Sequence, residues 1–254
     1  MSDDRIQRWI LVAGLVALVA ASWSYLAYED WAMRHMDLVA MAMPSAGRWS
    51  TADFMLVFVM WAVMMVAMML PSALPTLRVY RAVVSTRDEK RGADALTAVF
   101  AAGYVFTWTM FSAAATLLQS ALHSLSFVSP AMRATSPTIA GVLLVAAGVY
   151  QWTPLKRACL ARCAFPLQYL TRYWRDRASG AWRMGVAHGA YCAGCCWLLM
   201  GLLFVYGMMN LAWIVALAAY VLAEKVLPTQ RWLPRLAGTL AIGWGGALLW
   251  LGWQ

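Results

Sequence analysis

The sequence predicts an all-α polytopic membrane protein, a single bundle (1–254) of about seven transmembrane helices. Of the 254 residues, 63% are hydrophobic and only 12% are charged. The mean hydropathy of +0.64 is well above that of soluble domains. The 15 tryptophans fit this class, because indole rings favour the membrane interface, where an apolar ring and its N–H group are both accommodated. A soluble globular enzyme is therefore disfavoured, and we expect no enzymatic activity.

The first predicted helix, Trp9–Tyr28, is uncharged and follows Arg5 and Arg8. A helical membrane crossing needs roughly 20 apolar residues, and this segment supplies them. It is long for the apolar region of a signal peptide and has no clear cleavage site of small residues, so we interpret it as a retained helix. The six later spans are Phe54–Leu74, Ala95–Leu122, Pro137–Trp152, Gly185–Met209, Leu211–Val226 and Leu236–Trp253.

Three sequence features refine these elements. Pro71 and Pro75 are expected to break the helical backbone at the inner end of the second span. The segment from Lys156 to Arg183 is amphipathic, so we expect it to lie along the inner membrane surface with most of its charges solvated. On the fifth span, a row of small residues would let another helix approach closely. That row is Gly185, Gly189 and Ala193.

The basic residues predict the orientation. With the amino terminus in the cytoplasm and the carboxyl terminus outside, 17 Lys and Arg residues lie on the inner side and three on the outer side. This asymmetry is the positive-inside pattern of a bacterial inner membrane protein. It accounts for the net charge of +9, and no segment outside the spans is long enough to form a nucleic-acid-binding domain. The predicted surroundings are therefore the lipid bilayer, and nucleic acid is not an expected partner.

The cysteines are concentrated around the fifth span. His188, Cys192, Cys195 and Cys196 follow the i, i+4, i+7, i+8 spacing of one helical face. Cys159 and Cys163, also four residues apart, come shortly after the fourth span. Structural disulfides are not expected for thiols in the membrane or on its cytoplasmic side.

The methionines are concentrated around the second span, where ten of the 17 fall between Met33 and Met69. Met60, Met64 and Met68 form a row along one side, with Met65 and Met69 beside it. At about 1.5 Å of rise per residue, Met64 and Met68 lie roughly 9 to 15 Å deep, and the cysteines of the antiparallel fifth span lie about 10 to 17 Å deep. The two layers of sulfur atoms are therefore predicted to be level.

Thiolates and thioethers are soft ligands that select Cu(I), while Cys together with His also suits Zn(II). Packing is the alternative interpretation, because Met fills gaps in helix bundles and buried Cys behaves as a small hydrophobe. Glu224 is the only acid that we place within a span, so it is either a functional group or part of an ion pair with Lys225 that reaches the interface. His35 and His123 are expected in solvated outer loops.

Four strings carry a resemblance to a known family: WAVMMVAMMLPSALP, YQWTPLKRACLARC, HGAYCAGCCWLLMGLLFVYGMMN and AEKVLP. In this order they resemble a bacterial family of predicted metal-binding integral membrane proteins, a domain of unknown function, over about residues 53–226. The resemblance implies metal binding and a membrane location. It also implies the following motif positions: Met68, Met69, Cys159, Cys163, Cys192, Cys195, Cys196, Met208, Met209, Asn210 and Glu224.

Three functions compete at this point. The leading hypothesis is a protein that binds Cu(I) or another soft metal and either transports it or supplies it to a metallochaperone or metalloenzyme partner. An outer region would capture the ion weakly, the methionine row would pass it on, and the cysteine face with His188 would receive it. A second hypothesis is a thiol redox protein that uses Cys192 and Cys195, and a third is a structural subunit of a membrane complex. The residues of the outer capture region are Met33, His35, Met36, Met41 and Met43.

Overall fold

The structure is a computed structural model that describes residues 2–35, 44, 49–86, 92–125, 136–208, 210–227 and 232–252. Within these ranges every regular element is an α-helix, which confirms the predicted all-α class. The helices are α1 (Ser2–Arg34), α2 (Thr51–Thr86), α3 (Ala93–Ser124), α4 (Pro137–Trp152), α5 (Pro154–Ala164), α6 (Pro166–Tyr173), α7 (Arg177–Gly201), α8 (Leu203–Tyr206), α9 (Leu211–Val226) and α10 (Trp232–Leu251).

Four segments of the described chain are long and apolar enough to cross a membrane. They are α1, α2, α3 and the segment Arg177–Val205, which combines α7 with most of α8. The pair α4 and α5, bent by 67°, is a fifth candidate. These helices are compatible with a membrane protein. Helices α4 and α9 have the bounds expected from the sequence, whereas the total of seven spans and the orientation of the termini stay predictions.

The prolines do not end α2, which corrects one expectation. The helix runs without interruption through Pro71 and Pro75 to Thr86, 12 residues beyond the predicted end at Leu74. Each proline removes one intrahelical hydrogen bond, but the neighbouring Ser72 and Ala73 are buried among other helices. Tertiary packing on this stretch therefore maintains the helix where the local sequence weakens it.

The cysteine-bearing helix α7 is displaced along the chain from its predicted bounds. It begins at Arg177 rather than Gly185 and ends at Gly201 rather than Met209. The earlier start includes Arg183, whose side chain is exposed, so this charge does not prevent the helix from continuing. Near the other end Gly207 adopts a φ of 91°, a conformation that favours glycine and ends helical geometry.

Glycines allow α7 to pack closely against α3, as the small-residue row predicted. A Cβ atom added to Gly185 would lie 2.1 Å from the carbonyl oxygen of Phe100, and one added to Gly189 would lie 2.7 Å from Thr107 Cβ. The two helices thus approach within backbone contact. This contact fixes the face of α7 that bears the cysteines relative to α3.

The buried side chains form two hydrophobic cores. One core contains the five cysteines together with the buried methionines of α2 and with Met200 and Met208, and we call it the sulfur core. The other contains Tyr80, Phe100, Tyr169 and Met184, and we call it the aromatic core. The sequence suggested that sulfur is concentrated in one place, and the structure places nearly all of the buried sulfur on one side of the bundle.

Candidate metal-binding site

Cys192 lies at the centre of the sulfur core. Its side chain is fully buried. It comes from the middle of α7, on the face that α3 and α9 cover. Its sulfur is 3.1 Å from the Tyr104 hydroxyl of α3 and accepts a hydrogen bond of 2.9 Å from Lys225 Nζ of α9. Three helices therefore converge on one sulfur atom.

Three further thiols surround Cys192. The Cys163 thiol of α5 is within hydrogen-bonding reach of the Cys192 and Cys195 thiols, and the Cys196 thiol reaches the same two. All four side chains are at most 5% exposed. The two cysteine strings, separate in the sequence, thus form one thiol cluster, which we define as Cys163, Cys192, Cys195 and Cys196.

Cys159 lies at the edge of this thiol cluster. It is on the same face of α5 as Cys163 but is more exposed, at 9%. A Cβ atom added to Gly194 of α7 would lie 3.0 Å from its sulfur, so Cys159 packs directly on the α7 backbone. Glycine at this position therefore permits the contact between α5 and α7 that brings Cys163 inward.

The methionines of α2 lie in the same core as the thiols. Tyr104 makes the connection, because its hydroxyl donates to the Met69 carbonyl oxygen at 3.0 Å and also contacts the Cys192 sulfur. Met64, Met68 and Met69 are at most 1% exposed and belong to the sulfur core. Thioethers and thiols thus line the same part of the bundle, and the cysteines of α7 face inward.

His188 is buried one turn before Cys192 and leaves a ring nitrogen without a partner. It is 1% exposed, and its Nδ1 atom has no hydrogen-bond partner in the described structure. Its ring packs against Phe100, Tyr104 and Tyr169, with centroid distances of 6.0, 5.7 and 5.6 Å. An unpaired buried nitrogen costs free energy unless a ligand or metal ion satisfies it.

Tyr169 closes the aromatic wall around His188 from α6. Its hydroxyl donates a hydrogen bond of 3.0 Å to the Met184 carbonyl oxygen of α7. Burial raises the pKa of the Tyr169 hydroxyl, so this donor stays protonated at neutral pH. Helix α6 is thereby attached to α7 beside His188.

Glu224 has a partner that the sequence did not suggest. Its carboxylate forms an ion pair of 2.8 Å with Lys156 Nζ of α5, and both side chains are 1% exposed. The Tyr220 hydroxyl donates to the same carboxylate at 2.5 Å. The expected alternative of a Glu224–Lys225 pair at the interface is therefore wrong, as is the expectation that Lys156 is solvated. The pair connects α5 to α9.

Lys225 instead points into the thiol cluster. Besides its bond to Cys192, Nζ donates to Ser72 Oγ of α2 at 2.6 Å, and the Ser72 hydroxyl donates to the Met69 carbonyl oxygen at 2.7 Å. From the sequence, Lys225 was expected only as an interfacial partner of Glu224, and this contact was not predicted. Its position inside the last turn of an apolar helix was the only available signal.

The remaining predicted positions lie apart from these contacts or outside the described residues. Met208 is buried in the sulfur core after α8, whereas Asn210 is exposed and caps α9 by accepting a hydrogen bond from the Trp213 amide. In the outer region, His35 bonds to the Trp31 carbonyl oxygen and stacks on the Trp31 ring. Met36, Met41, Met43 and Met209 lie outside the described residues.

The thiols are close together, but they are not oriented as a finished coordination shell. Across the described ranges, no group of three or more His, Cys, Asp or Glu side chains is arranged to hold a metal ion. The Cys195 and Cys196 thiols each donate to the Cys192 carbonyl oxygen at 3.0 Å. Metal binding would therefore require these thiols to rotate away from their own helix, a change of side-chain rotamer only.

The fold and the site together define a class: a helical protein, compatible with a membrane, that holds soft ligands in its interior. A family model named PpoB2, described as a copper chaperone, matches residues 58–248. The chain therefore belongs to this family. No curated protein and no solved structure matches the chain. The family description agrees with the copper expected from the thiols and thioethers, and nothing here supports zinc.

Proposed function

We propose that this protein is a membrane-embedded copper chaperone that binds Cu(I) in the sulfur core and delivers it to a metalloenzyme during assembly. Delivery is preferred to transport because the family is described by chaperone activity. The protein acts as a carrier rather than as an enzyme, and Cu(I) is its cargo. In this proposal the bundle spans the bacterial inner membrane seven times, with its amino terminus in the cytoplasm.

The thiol cluster carries the proposal. Four thiols from α5 and α7 lie together, buried, and thioethers of α2 belong to the same core. Packing alone explains a single buried cysteine, but it does not explain why Cys163 is drawn from a separate helix to three thiols of α7. Soft sulfur ligands select Cu(I) over hard cations.

The ligands have distinct parts in this proposal. Cys192 and Cys163, from different helices, form the central pair, and Cys195 or Cys196 replaces one of them during transfer. Met68 and Met64 deliver the ion to the thiols, or remove it, because a thioether is a weaker neutral ligand of similar softness. His188 provides a nitrogen ligand one turn away, where its Nδ1 atom has no other partner among the residues that the structure describes.

An anaerobic Cu(I) titration of the detergent-purified protein against a competing chromophoric chelator tests this proposal. We expect one tightly bound Cu(I) per chain in the wild type. Cys192→Ser should weaken binding by more than about 100-fold, because it removes a ligand rather than a supporting group. The matched control is Cys159→Ser, which changes a thiol at the edge of the cluster and should weaken binding by less than about 10-fold.

Two results would reject the proposal. One is the absence of stoichiometric Cu(I) binding by the folded wild type. The other is binding that Cys192→Ser and Cys163→Ser leave unaltered, which would favour a structural subunit of a membrane complex. A Cys192–Cys195 disulfide that forms and is reduced catalytically with a thiol partner would instead favour the redox hypothesis.

A further inference from the structure

Buried charges in the described structure are paired, with one exception. Asp94 binds Arg81 at 2.6 Å, and Glu224 binds Lys156 at 2.8 Å. Lys225 is the remaining buried charged side chain, at 7% exposure. Its two hydrogen-bond acceptors are the Cys192 sulfur and the Ser72 hydroxyl, and neither is a carboxylate.

An ammonium group buried without a carboxylate partner is expensive, because the interior does not replace the hydration that it loses. The nearest carboxylate along the chain, Glu224, is already paired with Lys156 and bonded to Tyr220. The interior around Lys225 therefore carries one positive charge that the carboxylates of the described residues do not neutralise. The groups that can neutralise it are the thiols that it contacts, once they are ionised.

We propose that Lys225 is the counter-charge of the metal–thiolate complex and that it selects a monovalent over a divalent cation. This inference rests on the proposed function. One Cu(I) ion bound by two thiolates has one net negative charge, which the Lys225 ammonium neutralises. A divalent ion bound by the same two thiolates is neutral, so the ammonium would remain an uncompensated charge in the interior.

The geometry allows Lys225 to keep its place when the ion binds. Ser72 Oγ of α2 accepts a hydrogen bond of 2.6 Å from Nζ, in addition to the bond that Nζ donates to Cys192 of α7. Ser72 also donates to the Met69 carbonyl oxygen, so its oxygen is oriented towards the ammonium. A metal ion that replaces the direct bond to Cys192 therefore leaves Lys225 anchored within a few ångströms of the complex, where opposite charges still interact strongly.

The selectivity can be measured with Cu(I) and Zn(II) separately, each against a chelator of known affinity, on the full-length protein in detergent. Lys225→Met should weaken Cu(I) binding by about 10- to 100-fold, in the range found for supporting residues of metal sites. Zn(II) binding should hold or strengthen, so the ratio of the two affinities should fall by at least about 10-fold. Lys225→Arg should keep the wild-type ratio, because it keeps the charge.

Ser72→Ala is the matched control, because it removes the second partner of Lys225 and leaves every charge in place. The ammonium makes this hydrogen bond both without and with the bound ion, so most of its free energy cancels and either affinity should change by no more than about fivefold. Lys225→Gln is a second neutral variant, in case Lys225→Met does not yield folded protein.

The inference is overturned if the ratio of the Cu(I) and Zn(II) affinities stays at its wild-type value in Lys225→Met and Lys225→Gln. It is also overturned if Lys225→Arg lowers this ratio as much as Lys225→Met does. Either result alongside tight wild-type Cu(I) binding leaves the proposed function intact. Failure of the wild type to bind Cu(I) rejects the proposed function itself. The two failures are therefore distinguishable in one set of titrations.

Discussion

Two adjacent residues at the end of α9 lead to two different buried sites. Glu224 forms a buried ion pair with Lys156, and we call this Glu224–Lys156 ion pair the carboxylate pair. Lys225 enters the thiol site, which is formed by Cys192, Ser72 and Tyr104. The carboxylate pair is neutral and has a complete set of partners. The thiol site holds the Lys225 ammonium beside the thiols without a carboxylate among the described residues, and this positive charge is neutralised only when a thiolate or an anionic metal complex forms.

The difference indicates a structural role for the carboxylate pair and a ligand-binding role for the thiol site. A neutral ion pair between α5 and α9 holds helices together without needing another component. The thiol site is incomplete by the same electrostatic criterion. Because both sites share the last turn of α9, the carboxylate pair also fixes the position from which Lys225 reaches the thiols.

The largest expected effect comes from breaking the carboxylate pair. Glu224→Gln leaves Lys156 buried without its counter-charge and should destabilise the protein by about 3 to 5 kcal/mol. Thermal unfolding in detergent measures the loss. The double variant Lys156→Met with Glu224→Gln should recover most of it, since no charge is then left uncompensated. Equal stability of Glu224→Gln and the wild type would show that the pair is not structural.

A smaller effect should follow from separating α7 and α3, which disturbs the thiol site more than the carboxylate pair. Gly185→Ala places a methyl group against the Phe100 carbonyl oxygen and should cost about 1 to 3 kcal/mol. Gly14→Ala in α1 is the control, because nothing lies within 4 Å of the added atom. That change should raise stability by about 0.5 to 1 kcal/mol. A Gly185→Ala variant with the stability of the wild type would contradict the close contact between α7 and α3.

The methionine row can be tested by replacing thioether with hydrocarbon. Met68→Leu conserves volume, so it should cost less than about 1.5 kcal/mol of stability. It should still slow Cu(I) transfer to the chelator, because it removes a soft ligand beside the thiols. Met184→Leu in the aromatic core is the matched control and should leave the transfer rate unchanged. Equal Cu(I) transfer rates for the two variants would show that the methionine row serves only packing.

The smallest expected effect is that of Lys225→Met on the metal-free protein. Because the buried ammonium has no carboxylate partner in the described part of the chain, its loss should change stability by no more than about 1 kcal/mol and can raise it. Thermal unfolding without metal makes the comparison with Glu224→Gln direct. A loss as large as that of Glu224→Gln would show that Lys225 holds the helices together in the same way.

The sequence predicted elements that depend on local pattern and missed those that depend on distant partners. Helix α9 was predicted with its observed bounds, because an apolar run of the same length marks it. Helix α2 was predicted to stop at its prolines, since its stabilising contacts come from helices far along the chain.

The residues of the candidate site also separate into those that a local pattern predicted and those that depend on distant partners. The spacing of Cys192, Cys195 and Cys196 on one helical face was sufficient to predict that they share a side of α7. The ion pair of Glu224 joins residues 68 positions apart, so no local pattern indicates it. Lys225 was misjudged because a lysine near a helix end usually reaches water, and only the structure places Ser72 and Cys192 around it.

X-ray absorption spectroscopy at the copper edge of the Cu(I)-loaded protein tests the central claim most directly. We expect a first shell of two or three sulfur neighbours with at most one nitrogen, that of His188, and loss of a sulfur neighbour in Cys192→Ser. A first shell of nitrogen and oxygen, or a sulfur shell that Cys192→Ser and Cys163→Ser leave unchanged, would show that copper binds elsewhere and that the buried thiols serve only the packing of the bundle.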